Sequence, residues 1–74
     1  MSDLTRNTIR YSVACVNLFA RRKHLTGREA FLYLYQYKGL QFLEEFYDVE
    51  HTLSFEDVLD DLEIICRQNG GALA

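Results

Sequence analysis

The sequence predicts an all-α fold, a compact bundle of four helices in a single domain spanning residues 1–74, and three observations carry that expectation. Apolar residues recur at helical spacing in four segments, at about 3–23, 27–38, 40–47 and 55–68. Three of the four segments carry recognisable start or stop signals. There is no proline anywhere in the chain, so its turns must be made by Gly, Asn, Asp, Ser and Thr, which suits helices joined by short connections. Apolar residues make up 49% of the chain and aromatics 14%, enough for a core and too many for a disordered segment. A chain of 74 residues nevertheless buries only about 60% of the surface its unfolded form exposes, so a partner or a dimer would help its stability.

In the first segment Ile9, Val13, Val16, Phe19 and Ala20 form one apolar stripe, and Leu4, Tyr11, Cys15 and Leu18 form a second on the opposite side. Two apolar faces mark a helix packed centrally. Its remaining sector carries Arg6, Arg10, Asn17 and Arg21, and the segment runs out in Arg21-Arg22-Lys23-His24, positive charge at the negative end of the helix dipole.

Thr26-Gly27-Arg28-Glu29 is a capping box: the Thr hydroxyl serves the backbone N–H of Glu29, whose carboxylate reaches back to the Thr N–H. It settles an ambiguity, because Phe31 to Tyr37, with aromatics at every second position, would also suit a strand, and no second strand exists to pair with it. The second helix should bury Ala30, Phe31, Leu34 and Tyr37 and close at Gly39. A short third helix follows, with Leu40, Leu43, Phe46 and Tyr47 on one side and Phe42 on the other, and Asp48 to Thr52 is expected as a turn.

The last segment carries the clearest signals. Ser54 is its N-cap, Leu53 and Val58 fall at the positions of a hydrophobic staple, and Glu56 and Asp57 place negative charge at the positive end of the dipole. Phe55, Val58, Leu59, Leu62, Ile65 and Cys66 occupy an arc of roughly 120° at about 100° per residue, which must face a core. Asn69-Gly70-Gly71 supplies residues that tolerate the left-handed conformation in which helices end, and residues 72–74 read as a frayed tail.

Several function classes find no support. The start of the chain lacks the basic and apolar stretches of a signal peptide, and its longest uncharged run, Tyr11 to Ala20, is about half what a bilayer crossing needs, so a cytoplasmic protein is expected. Cys15 and Cys66 match no CxxC or Cys/His pattern and read as buried thiols. Tyr33, Tyr35 and Tyr37 resemble a base-stacking platform, but a net charge of −3 denies them a basic groove, and packing explains them better. The helix–Gly39–helix run echoes a helix-turn-helix, yet Glu44 and Glu45 stand where a reading helix would meet phosphates. Asp57, Asp60, Asp61 and Glu63 have no His at ligand spacing, His24 and His51 have no adjacent nucleophile, and GxSxG, HExxH and phosphate-loop motifs are missing. No enzyme, metal or cofactor is expected.

Charge is divided unevenly along the chain: residues 1–38 carry a net +5 and residues 39–74 a net −8. Such a split can pair the two halves internally, or it can present an acidic helix to a cationic partner. On the last helix Ile64 lies about 200° from Leu62, among Glu56, Asp57, Asp60, Asp61 and Glu63, an apolar anchor with a polar rim. A protein partner would use that face, or a second copy if the chain is a self-associating structural module. A nucleic-acid-binding regulator, the alternative class, would use the basic face of Arg6, Arg10 and Arg21.

From about Ala30 to Gly71 the run Gly39-Leu40, Phe42-Leu43, Tyr47, Glu50-His51-Thr52-Leu53-Ser54, Asp61-Leu62, Cys66 and Asn69-Gly70-Gly71 resembles a family of small bacterial proteins known only as a domain of unknown function. Members of that family are often encoded beside ADP-ribosyltransferase-like proteins. The resemblance therefore implies an antitoxin-like or accessory partner of a toxin-like enzyme, and it brings no catalytic residues with it. Its most specific parts are His51-Thr52-Leu53-Ser54 and the closing Asn69-Gly70-Gly71; the Arg21-Arg22-Lys23 cluster has no place in its pattern.

Overall fold

The first helix, α1 (Asp3–Lys23), is 21 residues long and longer than any helix it packs against. A computed structural model describes residues 3–71, and the tail expected at 72–74 lies outside them. Four more helices follow: α2 (Gly27–Gln36), α3 (Gly39–Glu45), the single turn α4 (Tyr47–Glu50) and α5 (Phe55–Gln68). The fold is all-α; α2, α3 and α5 pack against α1 around one core.

The core is supplied by Cys15, Val16, Phe19 and Ala20 of α1, Ala30 and Leu34 of α2, Leu43 of α3, and Val58, Leu59, Leu62 and Cys66 of α5. The expected stripes of α2 and α5 are thus buried in their middles. Several aromatics at the stripe edges are not: Phe31 and Phe46 are exposed, whereas Phe42, placed by periodicity on the far side of its helix, packs against the core. The third helix breaks at Phe46, and the chain expected as a turn from Asp48 makes one further helical turn, α4, before the loop. Four residues cannot show a period of 3.6, so α4 leaves no trace in the sequence pattern.

The helix ends follow their capping chemistry. Thr26 and Glu29 make both bonds of the capping box, and the Thr26 N–H holds the Glu29 carboxyl below its ordinary range. The Ser54 hydroxyl accepts from the Asp57 N–H at 3.2 Å. Ser54→Ala is expected to cost about 0.5–2 kcal/mol, read as a shifted urea midpoint with unchanged slope.

Three helices stop at a left-handed residue, and only one of these is glycine. His24 (φ 58) ends α1, with the Leu25 N–H bonded to Ala20 C=O at 2.9 Å; Gly70 (φ 90) ends α5, with the Gly71 N–H bonded to Cys66 C=O at 2.8 Å. Both are Schellman closures. Helix α2 stops at Gln36, two residues sooner than expected, and the left-handed residue after it is Lys38 (φ 70), not Gly39. Gly39 is needed for a different reason: a Cβ there would lie 2.8 Å from Leu34 Cδ2 and 3.2 Å from Cys66 Sγ, so its smallness lets α3 approach both neighbours.

Candidate functional site

One side of α1 runs through the whole core, but only its C-terminal half is covered. At 1.5 Å per residue α1 is about 31 Å long and α2 about 15 Å, so the first three turns of α1 outrun the helix folded back along them. The result is an open groove of about 700 Å³, walled by Leu4, Thr8, Ile9, Ser12, Val13 and Asn17 of α1, Phe31 of α2, and Leu40 and Glu44 of α3, with Val16 at its inner end. Leu4, Ile9, Val13 and Phe31 are each about half exposed or more. Ile9 and Val13 were expected in the core with Val16, Phe19 and Ala20. They continue that stripe, but among the described residues nothing reaches far enough along α1 to bury them.

The edges of the groove differ in charge. At about 100° per residue Arg6 falls in the sector of Val13 and Asn17, and Arg10 just beyond it, so one edge is basic. Glu44 and the adjacent Glu45, both exposed, make the α3 edge acidic. Of the basic face expected from sequence, Arg6 and Arg10 therefore flank the groove, while Arg21 is exposed near the other end of α1.

The acidic face of α5 is largely committed within the chain. Arg22 Nη1 pairs with Asp60 Oδ1 at 2.7 Å and reaches Glu63 Oε2 at 3.6 Å, Lys23 pairs with Glu63, and Arg22 Nη2 donates to the Glu56 carbonyl at 3.4 Å. The cluster Arg22-Lys23 thus joins the end of α1 to α5, the internal pairing that the charge split permitted. Ile64 is 49% exposed, as its angle from Leu62 required, but of the carboxylates around it Asp60 and Glu63 are in ion pairs and Asp61 faces Glu50, leaving Glu56 and Asp57 as the exposed carboxylates outside those pairs. The ring around Ile64 is weaker than the sequence suggested.

A buried polar cluster that sequence reasoning missed ties α1, α4 and α5 together. Glu50, the last residue of α4, is 4% exposed, and its Oε1 has no hydrogen-bond partner among the described residues. Burial, with a hydrogen bond and the charge of the Asp61 carboxyl beside it, pushes Glu50 up to about 7. The Tyr11 hydroxyl donates to the Glu50 carbonyl at 2.9 Å, and Cys15 lies within hydrogen-bonding reach of that hydroxyl. Tyr11 also stands between Phe55 and Tyr47, and Tyr47 stacks on His51, whose Nδ1 donates to the Tyr47 carbonyl at 2.6 Å. The segment His51-Thr52-Leu53-Ser54 is the connection that ends α4 and caps α5: Thr52 Oγ1 donates to Val49 C=O at 2.6 Å, and the Leu53 N–H to Glu50 C=O at 3.0 Å.

Tyr33 and Tyr35 of α2 and Tyr37, its C-cap, do not share one surface. Tyr33 stacks on Phe19 and donates to the Gly71 carbonyl, Tyr37 leans on Tyr33, and Tyr35 points away at 70% exposure beside Phe31. Cys15 and Cys66 are free and buried, and burial pushes both thiols up to about 11, so they remain protonated and poorly nucleophilic at neutral pH. Among the described residues no group of three or more His, Cys, Asp or Glu is gathered as a metal site, and no helix is long and apolar enough to cross a membrane.

A family model described as "Protein of unknown function (DUF3791)" matches residues 10–69, which takes in all of α2 to α5 and α1 from Arg10 onward. No curated protein and no solved structure matches the chain.

Proposed function

We propose that this chain, which belongs to the DUF3791 family, is a non-catalytic protein-binding module, an antitoxin-like or accessory partner of a toxin-like enzyme, and that it binds through the groove beside the first half of α1. The observation that carries the reading is the groove itself: four large apolar side chains stand half in solvent around one open cleft in a domain of 74 residues, where scattered single apolar residues would be ordinary. Its anatomy, an apolar centre with charged edges, is that of a protein contact. The toxin-like partner comes from the resemblance to small bacterial proteins encoded beside ADP-ribosyltransferase-like neighbours.

The test is co-expression with the neighbouring ADP-ribosyltransferase-like protein and co-purification on a tag carried by that protein. Val13→Asp, at a side chain 55% exposed, is expected to remove at least nine-tenths of the bound module while leaving its helical circular dichroism intact. Ile64→Ala is expected to leave binding within about twofold, since isolated exposed residues outside a contact contribute little. Binding that survives Val13→Asp and is lost with Ile64→Ala would move the contact to α5. Absence of any complex with the unaltered chain would overturn the proposal.

A further inference from the structure

The groove has a feature that a surface for one foreign partner does not require: it is complementary to the helix that forms it. One wall is α1 itself, apolar at Leu4, Ile9 and Val13 and bordered by Arg6 and Arg10; the opposite wall ends in Glu44. Resting on the reading of this cleft as a protein-binding surface, we infer that its occupant in the free protein is a second copy of the chain, the two copies laying the first halves of their α1 helices parallel into each other's grooves about a two-fold axis that runs along the helices.

A two-fold contact places the same patch on both partners, so whatever α1 of one copy does in the groove of the other is done again in return. Leu4, Ile9 and Val13 of each copy then cover the cleft of its mate, and the stripe left unfinished in the single chain is completed. Each basic edge meets the acidic edge of the other copy, Arg6 and Arg10 against Glu44. An antiparallel arrangement would instead set basic edge beside basic edge, because a two-fold axis across the helices brings like edges together, and like charges brought together at an interface are strongly unfavourable. The same arrangement answers the small size of the domain, because burying the overhang of α1 adds apolar area that 74 residues cannot bury alone. The toxin-like partner of the preceding section would then bind by displacing the second copy.

Sedimentation equilibrium and light scattering of the purified full chain at tens of micromolar should report twice the 8.7 kDa chain mass. Ile9→Asp, at a side chain 47% exposed, should weaken dimerisation at least 100-fold with the helical spectrum retained. Arg10→Glu and Glu44→Arg should each weaken it about tenfold at low salt, and the two together in one chain should restore most of the loss. A monomer at several hundred micromolar, or a dimer indifferent to Ile9→Asp and to both charge reversals, would overturn the inference. Should the unaltered chain be monomeric while Val13→Asp still abolishes the enzyme complex, the second copy is wrong and the groove as a partner site stands. Should the chain dimerise through the groove while no complex forms with the enzyme-like neighbour, the partner reading fails and this one stands.

Discussion

Phe19→Ala is expected to cost about 3–5 kcal/mol and Leu62→Ala about 2–5 kcal/mol of folding free energy, measured by chemical denaturation. Both side chains are fully buried, Phe19 in the C-terminal half of α1 against the Tyr33 ring and Leu62 at the middle of the α5 stripe. Truncation removes their transfer free energy and leaves a cavity that the surrounding helices collapse to fill only in part. A domain of this length has a total stability of roughly 4–11 kcal/mol, so either change takes a large share of it. Phe19 should be the more severe, because its removal also deprives Tyr33 of a stacking partner, and Tyr33 is the residue that holds the turn closing α5 by donating to the Gly71 carbonyl. If Phe19→Ala unfolds at the same urea concentration as the unaltered protein, the core is not organised around α1.

How much of this molecule could be read in its sequence depends on length and on which partner a signal needs. Long segments with caps at their ends were legible: α1, α2 and α5 begin within a residue or so of where the periodicity and the Thr26 and Ser54 caps place them. Helix α4 was not, because a single turn is shorter than the period that would reveal it. Gly39 is legible as punctuation, but the sequence cannot distinguish a glycine required by φ from one required by the nearness of Leu34 and Cys66. The strand-like run Phe31 to Tyr37 was decided by its capping box, a local signal that outweighed alternation.

The candidate site was less legible than the fold. Periodicity said which side of α1 is apolar and nothing about where along α1 the neighbouring helices stop, so Ile9 and Val13 were assigned to a core that ends before reaching them. The clue lay in lengths: a first helix of 21 residues faces a second of 10, and the excess had to remain open or be covered by something else. The charge split showed that the halves could pair, but only the fold shows that Arg22 and Lys23 meet Asp60 and Glu63 while Arg6 and Arg10 stand exposed on the first half of α1.

Stability is expected to fall by roughly 2–3 kcal/mol between pH 5 and pH 8 through the Glu50–Asp61 pair, at about 1.4 kcal/mol per pH unit where the folded chain holds a proton that the unfolded chain has lost. The geometry requires that sign. Glu50 is buried at the end of α4 with one oxygen unpartnered and a second carboxyl beside it, so ionising both means placing a negative charge in a dry site next to another. The folded state therefore keeps the Glu50 proton up to about 7, against an ordinary 4.5 in the unfolded chain. The contribution is fully present below the ordinary value, declines as the pH rises toward 7, and is gone above it. The other groups turned toward the pair, the Tyr11 hydroxyl and the Cys15 thiol, are raised by burial and stay neutral across this range, so they supply no compensating charge. Glu50→Gln keeps a neutral side chain of the same shape that can still donate to Asp61. It should match the unaltered protein at pH 5, exceed it at pH 8, and flatten the dependence in between. Urea midpoints at the two pH values decide the matter: an unchanged pH dependence in Glu50→Gln would mean that the proton on this pair does not hold α4 against α5.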